Sequence, residues 1–429
     1  MERTLEIITA LRNGAYDGTF KYLYADKSVG QPERYCEAVG EFEALYRMDK
    51  ARLFSAPGRT EVGGNHTDHQ HGRVLAAAVN LDIICVAAPN DDGIIRIKSA
   101  GFPMDEIDIS DLSIKPKENN TAAALIRGMS ARCKELGYKV SGFNAYTTSN
   151  VLKGSGLSSS AAFEVAVGVM INSLFNSGAI PAVEIAKIGK YAENNYFGKP
   201  SGLMDQMASS VGGFITIDFA DVDMPVINPV SFDFSSWGHT LCIVDTKGDH
   251  ADLTGEYAAI PAEMKSIAKE FGKDYLREVD PCEFRKRMPE LRKKCGDRAV
   301  LRALHFFGDN DRVVRQSDAL GKNDFGSFKD LIIESGRSSF AMLQNVFACH
   351  EPNEQGLTLA LALSEELLAG KGAWRVHGGG FAGTIQAFVP NDLLETYIQA
   401  MEAVFGEGAC HRLSIRPRGG VEVTPDLGG

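Results

Sequence analysis

The pattern of apolar and polar positions along the 429-residue chain predicts strands and helices in mixed order. Short apolar or alternating runs predict strands at residues 79–89, 94–98, 142–149, 214–219 and 241–245. Longer runs with helical spacing predict helices at residues 121–136, 161–176, 181–197, 324–347, 351–369 and 391–405. Because the two kinds of element do not alternate strictly, their order favours an α+β fold over a doubly wound sheet.

Turn signals and chain length indicate how these elements are connected and divided into domains. The Asn-Asp-Asp-Gly run at residues 90–93 predicts a hairpin whose return strand is residues 94–98. The first 50 residues are polar and helical in pattern, and we expect a surface appendage there. The length suits two or three domains, and residues 225–237 predict the joint between the halves. We therefore expect one domain at residues 1–225 and a second at residues 226–429.

Composition narrows the class of protein. A net charge of −11 argues against a dedicated binder of nucleic acid or of acidic membranes, although it leaves room for a local basic pocket. No apolar run approaches the roughly 20 residues of a membrane span, and the first residues lack the apolar core of a signal peptide. Eight cysteines are scattered without a C-x-x-C pair, which fits reduced thiols in the cytoplasm.

The most informative motif is a glycine–serine run directly before a predicted helix, with the sequence Gly-Ser-Gly-Leu-Ser-Ser-Ser-Ala at residues 154–161. Glycine permits the tight backbone that lets several N–H groups converge, and a helix N-terminus adds unpaired donors and partial positive charge. Together these features predict a phosphate-binding segment, which we call the phosphate loop. Its candidate residues are Gly154, Ser155, Gly156, Leu157, Ser158, Ser159 and Ser160. The alternative is a serine-capped helix after a flexible loop.

Two better-known nucleotide loops do not fit the chain. A Walker A loop needs Gly-Lys-Ser/Thr, and none of the Gly-Lys pairs here is followed by Ser or Thr. The run Gly-Gly-Gly-Phe-Ala-Gly at residues 378–383 matches G-x-G-x-x-G literally. A strand-like alternation follows it, however, where the dinucleotide fingerprint requires a helix.

A second polar cluster, at residues 57–69, is rich in side chains that hydrogen-bond hydroxyl groups. Asp68 can accept from two adjacent sugar hydroxyls, whereas Asn65 and His66 can both donate and accept. Arg59 supplies a fixed positive charge for a developing anion. Two alternatives remain: a metal site, because histidines flank Asp68 at residues 66, 69 and 71, and a polar surface loop.

A third cluster pairs two carboxylates near the phosphate loop. Glu193 stands at a predicted helix end, and Asp205 follows twelve residues later, after a glycine–proline turn. This arrangement suggests that one carboxylate holds magnesium while the other orients and deprotonates an attacking hydroxyl. For Asp205 the alternative is a helix cap.

In this order the clusters resemble the galactokinase family, within the superfamily of galactokinase, homoserine, mevalonate and phosphomevalonate kinases. The resemblance runs from about residue 52 to the C-terminus. It rests on three motifs, at residues 58–68, 154–161 and 378–383, and on the run Gly-Leu-Met-Asp-Gln at residues 202–206. It implies a two-domain α+β kinase fold in which ATP and a sugar meet in the cleft between the domains.

The resemblance also implies a role for each matching residue. Asp205 corresponds to the catalytic base, Arg59 to its charged partner, and Ser160 and Glu193 to the Mg²⁺ ligands. The positions that match sugar contacts are Asn65, His66, Thr67, Asp68, Gly202 and Tyr257. The implied reaction is ATP-dependent phosphorylation of galactose at its anomeric hydroxyl. We expect a monomer whose partners are the sugar and ATP.

The chain departs from the family pattern at several positions. The family has glutamate at Asn65, asparagine at Glu61, tyrosine at His69 and threonine at His377. Because the glutamate contacts the sugar's 6-hydroxyl, Asn65 leaves open a related sugar such as galacturonate, N-acetylgalactosamine or arabinose. Two further alternatives are a regulator that binds sugar and ATP without transfer, and a homoserine- or mevalonate-type kinase.

Overall fold

A computed structural model describes residues 1–151, 156–199, 201–230, 232, 234–248 and 253–428. Within these residues the helices are α1 (Thr4–Arg12), α2 (Asp17–Tyr24), α3 (Gln31–Tyr46), α4 (Ala122–Glu135), α5 (Ser159–Asn176), α6 (Ala182–Ala192), α7 (Met204–Val211), α8 (Thr254–Lys269), α9 (Pro281–Cys295), α10 (Asp297–Gly321), α11 (Phe325–Ser338), α12 (Gly356–Leu368) and α13 (Leu394–Phe405). The strands are β1 (Glu2–Arg3), β2 (Lys50–Gly63), β3 (Arg73–Pro89), β4 (Ile94–Ser99), β5 (Met104–Asp108), β6 (Phe143–Ser149), β7 (Phe214–Asp218), β8 (Val226–Val230), β9 (His239–Asp245), β10 (Ala373–Val376), β11 (Thr384–Pro390), β12 (Cys410–Leu413) and β13 (Val421–Glu422).

The strands form two sheets, and helices pack on them. The first sheet has nine strands in the order β1-β2-β3-β6-β4-β5, with β7 and β8 continuing from β3 and β13 pairing with β2. The second sheet has four antiparallel strands in the order β10-β11-β9-β12. This mixture of packed helices and largely antiparallel sheets confirms the predicted α+β class.

The predicted hairpin at residues 90–93 is wrong. Strand β6 lies between β3 and β4, and it pairs antiparallel with β3 and parallel with β4. The turn therefore crosses over β6 instead of joining neighbours. The amide of Asn90 supports that crossover, because it donates to the Ile94 carbonyl and to Asn144 Oδ1.

The first 50 residues are a structural layer and not the expected surface appendage. Alternate side chains of β3 face opposite sides of the sheet. Ile84 and Val86 pack against α1–α3, whereas Cys85 and Ala87 join the core formed with α4 and α5. Covering both faces explains why β3 is a continuous apolar run. Buried Asp82 also ties this layer to the sheet, through hydrogen-bonded ion pairs with Arg34 and Arg416.

The sheets do not follow the expected domain boundary strictly. Strand β8 and strand β13 both lie beyond residue 225, yet both pair within the first sheet. Strands β9 to β12 and helices α12 and α13 share a separate apolar core, which is consistent with a second domain. None of the described helices is long and apolar enough to cross a membrane.

Candidate active site

Long strand β2 carries the first functional segment into the interior. Its pairing with β3 shifts register between Pro57 and Arg59 and again between Glu61 and Gly63. Such irregularities re-aim side chains and are frequent beside active sites. The backbone at Gly58 approaches the phosphate loop so closely that an added Cβ would lie 2.9 Å from the Leu157 carbonyl oxygen.

Arg59 joins the phosphate loop to the predicted base. Its Nε donates to Asp205 Oδ1 at 2.7 Å, and its Nη1 donates to the Gly156 carbonyl. The Arg59 backbone N–H bonds the Leu157 carbonyl at 3.0 Å. The Ser158 hydroxyl donates to Asp205 Oδ2 at 2.7 Å. The structure thus brings the second and third polar clusters together at the phosphate loop.

Asp205 is ionised at neutral pH. Burial alone would raise its pKa, but the charge and hydrogen bond of Arg59 and the hydroxyl of Ser158 outweigh burial and lower it to about 2. Its side chain keeps 25% exposure, so the carboxylate remains partly accessible from solvent. Asp205 lies in the first turn of α7, but its side chain bonds residues of other segments and not its own helix end.

Of the seven predicted phosphate-loop residues, Gly156 is located by its bond to Arg59, and the structure also describes the next four. Ser158 has φ of +58° directly before α5, and Ser159 and Ser160 form the first turn of that helix. Leu157 contributes its backbone, since its side chain is fully buried in the core. Gly154 and Ser155 lie outside the described residues.

Ser160 and Glu193, the two residues predicted to bind magnesium, lie side by side. The Ser160 hydroxyl donates to Glu193 Oε1 at 3.1 Å, and the Lys199 ammonium bonds the same oxygen at 3.0 Å. Ser201 and Gln206 donate to Glu193 Oε2. A hydroxyl beside a carboxylate supplies the hard oxygen donors that Mg²⁺ prefers when phosphates complete its coordination, so the donor set fits magnesium.

Among the described residues there is no cluster of three or more His, Cys, Asp or Glu side chains able to hold a metal, including at residues 66–71.

Asp68 lies against Gly202, so the structure brings two residues of the predicted sugar site together. A Cβ added at Gly202 would be only 2.4 Å from Asp68 Oδ2, so glycine is needed for this approach. His66 stands two residues before Asp68, and its Nε2–H donates to the Gly379 carbonyl at 2.9 Å. Burial lowers the pKa of His66 to about 4, helped by nearby His69, so its ring is neutral at physiological pH.

The side chains of Asn65 and Thr67, two predicted sugar contacts, turn into the protein. Thr67 is fully buried, and its hydroxyl bonds the carbonyls of Gly64 and Arg73 within the loop. Asn65 is also fully buried, and protein groups use both its amide nitrogen and its amide oxygen. Sequence reasoning missed this because alternation and motif matching do not reveal which way a loop side chain turns.

The triple-glycine motif, residues 378–380, lies beside the segment between β2 and β3, residues 64–72, which we call the sugar loop. Tyr257, on α8, donates from its hydroxyl to the Gly380 carbonyl at 2.8 Å and packs edge-on against Phe381. A Cβ at Gly380 would clash with the Asn345 carbonyl oxygen at 2.0 Å. The strand-like alternation after the motif is confirmed as β11, which pairs antiparallel with β10.

Two contributors to the site were not identified from the sequence. His377 is buried against the phosphate loop: its Nε2 accepts the Glu61 backbone N–H, and its Nδ1–H donates to the Thr384 hydroxyl. Gln206 bridges Glu193 and buried Glu164 through its amide nitrogen. His377 was noted only as a departure from the family motif, whereas the position of Gln206 directly after Asp205 was a usable signal.

Comparison with known proteins is consistent with this geometry. The family profile described as "GHMP kinases N terminal domain" matches residues 121–213, and the profile "Galactokinase galactose-binding signature" matches residues 40–89. Galactokinase of Actinobacillus pleuropneumoniae serotype 3 is 31% identical over 365 residues, which cover 83% of this chain and 90% of that protein. Galactokinase of Streptomyces coelicolor is 29% identical over 379 residues, 87% of this chain and 94% of that protein.

Solved structures share the fold. Lactococcus lactis galactokinase complexed with galactose superposes with a TM-score of 0.76 at 24% identity, covering 89% of this chain and 98% of that one. Methanococcus jannaschii mevalonate kinase gives a TM-score of 0.60 at 13% identity, covering 85% and 98%. The fold and the phosphate loop therefore define a small-molecule kinase of the GHMP class. Within that class, the chain belongs to the galactokinase family.

Proposed function

We propose that this chain transfers the γ-phosphoryl group of ATP to the anomeric hydroxyl of galactose, giving galactose 1-phosphate and ADP. The observation that carries the proposal is the hydrogen-bonded pair Arg59–Asp205 between the phosphate loop and the Asp68–Gly202 contact. A charged donor, an ionised carboxylate and a hydroxyl-reading loop meet there, as phosphoryl transfer to a sugar requires.

Asp205 orients the attacking hydroxyl and accepts its proton. A carboxylate whose pKa is about 2 is too weak a base to deprotonate a sugar hydroxyl before attack. In a loose, in-line transition state the proton leaves late, when the new bond between the anomeric oxygen and phosphorus has largely formed. The bond from phosphorus to the β–γ bridging oxygen breaks in the same step, ADP leaves with those electrons, and the proton passes from Asp205 to solvent.

Arg59 holds the base and faces the developing charge. Its Nε bond fixes one oxygen of Asp205, and Ser158 fixes the other, so the carboxylate has a defined orientation. The guanidinium is always charged, and its Nη1 bond to the Gly156 carbonyl keeps it at the phosphate loop. Preorganised charge of this kind lowers the barrier without reorganisation during the reaction.

Ser160 and Glu193 would hold Mg²⁺, which when bound supplies charge neutralisation for the nucleotide phosphates. Lys199 already bonds Glu193 Oε1, and it keeps the carboxylate compensated in the protein alone. For the sugar, neutral His66 and ionisable Asp68 offer one nitrogen and two oxygens to ring hydroxyls.

The test is a panel of acceptors with ATP and Mg²⁺: galactose, galacturonate, N-acetylgalactosamine and arabinose. We expect galactose to give the highest kcat/KM, and phosphorus NMR to place the phosphate on C1. A tight sugar–ATP complex that forms no ADP would instead indicate a regulator. A phosphate on another carbon would contradict the anomeric assignment.

We also propose that the protein is monomeric and acts in a reducing compartment such as the cytoplasm. All eight cysteines are free thiols in the structure, which supports the second point. Light scattering after gel filtration tests the first, where a mass of twice the 46.4 kDa chain would contradict it.

A further inference from the structure

Three successive carbonyl groups of the triple-glycine loop each accept a hydrogen bond from a residue of the sugar-site prediction. Asn65 Nδ2 donates to the Gly378 carbonyl at 2.7 Å. His66 Nε2 donates to the Gly379 carbonyl at 2.9 Å, and the Tyr257 hydroxyl donates to the Gly380 carbonyl at 2.8 Å. Adjacent residues 65 and 66 therefore donate hydrogen bonds to the carbonyls of adjacent glycines.

Protein groups occupy every hydrogen-bonding position of the Asn65 side chain. Besides Gly378, its Nδ2 donates to Glu61 Oε1 at 2.9 Å. Its Oδ1 accepts from Asn345 Nδ2 at 2.9 Å and from the Ser339 hydroxyl at 3.2 Å. An amide offers two donors and two acceptor positions, so the protein satisfies the whole group.

The Asn65 backbone is held just as firmly by α10. Its N–H donates to Asp309 Oδ2 at 2.8 Å, and its carbonyl accepts from His305 Nε2 at 2.9 Å. Asp309 and His305 are both fully buried. Asn65 therefore links strand β2, the helix α10, the segment of Ser339 and Asn345, and the glycine loop.

The amide chemistry matches its surroundings and explains why an acid does not suit this place. Glu61 receives both Asn65 and Arg375 on the same oxygen, the latter at 2.7 Å. A carboxylate at position 65 would lose both donors and face the Glu61 carboxylate and the Gly378 carbonyl with oxygens. The donor side and the acceptor side of Asn65 thus each meet complementary groups.

We propose that Asn65 is a positioning residue that joins the sugar loop to the triple-glycine loop and does not touch the sugar. It fixes the backbone from which His66 and Asp68 reach the substrate. The inference rests on the proposed function, since it concerns how that galactose site is held. It also accounts for Asn65 without invoking an acidic sugar as substrate.

Substrate analogues separate positioning from contact. A side chain that bonds one sugar hydroxyl loses its effect when that hydroxyl is removed, because mutation and deletion then remove the same interaction. We would measure the galactose dissociation constant by calorimetry for wild type and for Asn65→Ala, and repeat it with 2-deoxygalactose and 6-deoxygalactose. We expect Asn65→Ala to weaken galactose binding at least about tenfold, and by a similar factor for both analogues.

Controls keep the test independent of folding. Asn172→Ala removes another buried amide, which bonds both backbone groups of Ile180, and should lower thermal stability without changing galactose affinity. If Asn65→Ala does not fold, Asn345→Ala removes one Asn65 partner and should weaken all three sugars equally. An effect that vanishes with one deoxy sugar, or unchanged affinity in the Asn65 variant, would overturn the inference. A wild-type protein that neither binds nor phosphorylates galactose would contradict the proposed function instead.

Discussion

Arg59 and Asp205, 146 residues apart in sequence, form a hydrogen-bonded ion pair of 2.7 Å between the guanidinium Nε and one carboxylate oxygen. The Arg59 side chain is only 7% exposed, whereas Asp205 is 25% exposed. The guanidinium is therefore sheltered from solvent, whereas the carboxylate is partly open to it. This asymmetry leaves the carboxylate accessible to a hydroxyl while its charge stays compensated.

Asp205→Asn should lower kcat by at least about 10² with little change in the KM for galactose, because a positioned base contributes roughly 10²–10⁴-fold. The amide keeps the size of the carboxylate but cannot take the proton. Steady-state kinetics with a coupled ADP assay measures the effect.

A matched control for this variant is Asp218→Asn. Asp218 bonds Arg73 Nε at the same distance of 2.7 Å, on β7. The Asp218→Asn variant should leave kcat unchanged. If Asp205→Asn instead kept a kcat within a few-fold of wild type, Asp205 would have no part in the mechanism.

Gly202→Ala should raise the KM for galactose by about 10- to 100-fold, since a displacement of about 1 Å in a reacting constellation costs on this order. The new Cβ would lie 2.4 Å from Asp68 Oδ2 and would push that carboxylate off its position. The KM for ATP should change much less, because Asp68 lies on the sugar loop.

Gly40→Ala is the control, since nothing lies within 4 Å of a Cβ added there. It should be neutral in both KM values. Equal losses for galactose and ATP in Gly202→Ala would mean that the substitution disturbs the whole site and not Asp68 alone.

Much of the site was predictable because its chemistry is local in sequence. The glycine–serine run, Arg59 and the Glu193–Asp205 pair each carry a recognisable residue type, and hydrogen bonds link them in the structure. The α+β class was also predictable, since the apolar run at β3, the alternation at β6 and the helical spacing of α4 are strong signals.

Strand β2 was not predicted, although it is 14 residues long and carries Arg59. It contains Pro57, Gly58 and Gly63, which are unfavourable in strand interiors, and its register shifts accommodate them. The hairpin at residues 90–93 failed for a related reason. A turn signal reports local geometry, whereas strand order depends on β6, which lies about 50 residues further on.

Side-chain direction was the least predictable feature of the site. Asn65 and Thr67 lie in a motif rich in hydroxyl-binding residues, yet both turn into the protein. Their partners include Gly378 and Asn345, which are far away in sequence. His377 likewise reaches Thr60 across 317 positions, so its role follows from tertiary packing.

The neutral state of His66 should make folding stability depend on pH. Its pKa is lowered by burial from 6.5 to about 4, so below pH 6.5 the unfolded chain binds a proton that the folded protein does not. Stability from this group is therefore complete above pH 6.5 and is lost as pH falls toward 4. Between pH 7 and pH 5 the loss amounts to about 2 kcal/mol.

Urea unfolding at those two pH values measures the loss, and His66→Gln should reduce the difference by about that amount. His350→Gln, at an exposed histidine, serves as control and should not reduce it. Because the ring stays neutral in the folded protein, the pH profile of kcat/KM for galactose should show no inflection near pH 6.5 that depends on His66. An inflection there that is present in wild type and absent in His66→Gln would show that the imidazole titrates in the folded enzyme.

Glu193→Gln should raise the Mg²⁺ concentration for half-maximal activity at least about tenfold, because it removes a negative oxygen donor beside Ser160. Electron paramagnetic resonance of Mn²⁺ with ATP gives a readout independent of turnover, and bound Mn²⁺ should decrease in the variant. Chelation of the metal should stop turnover while circular dichroism stays unchanged, since the cores are built from apolar side chains. The matched control is Glu395→Gln, at an exposed carboxylate on α13 that bonds Arg412, and it should leave the metal requirement as in wild type. Mn²⁺ affinity unaltered in Glu193→Gln would assign Glu193 to the Lys199, Ser201 and Gln206 network alone and would leave Ser160 without a partner ligand.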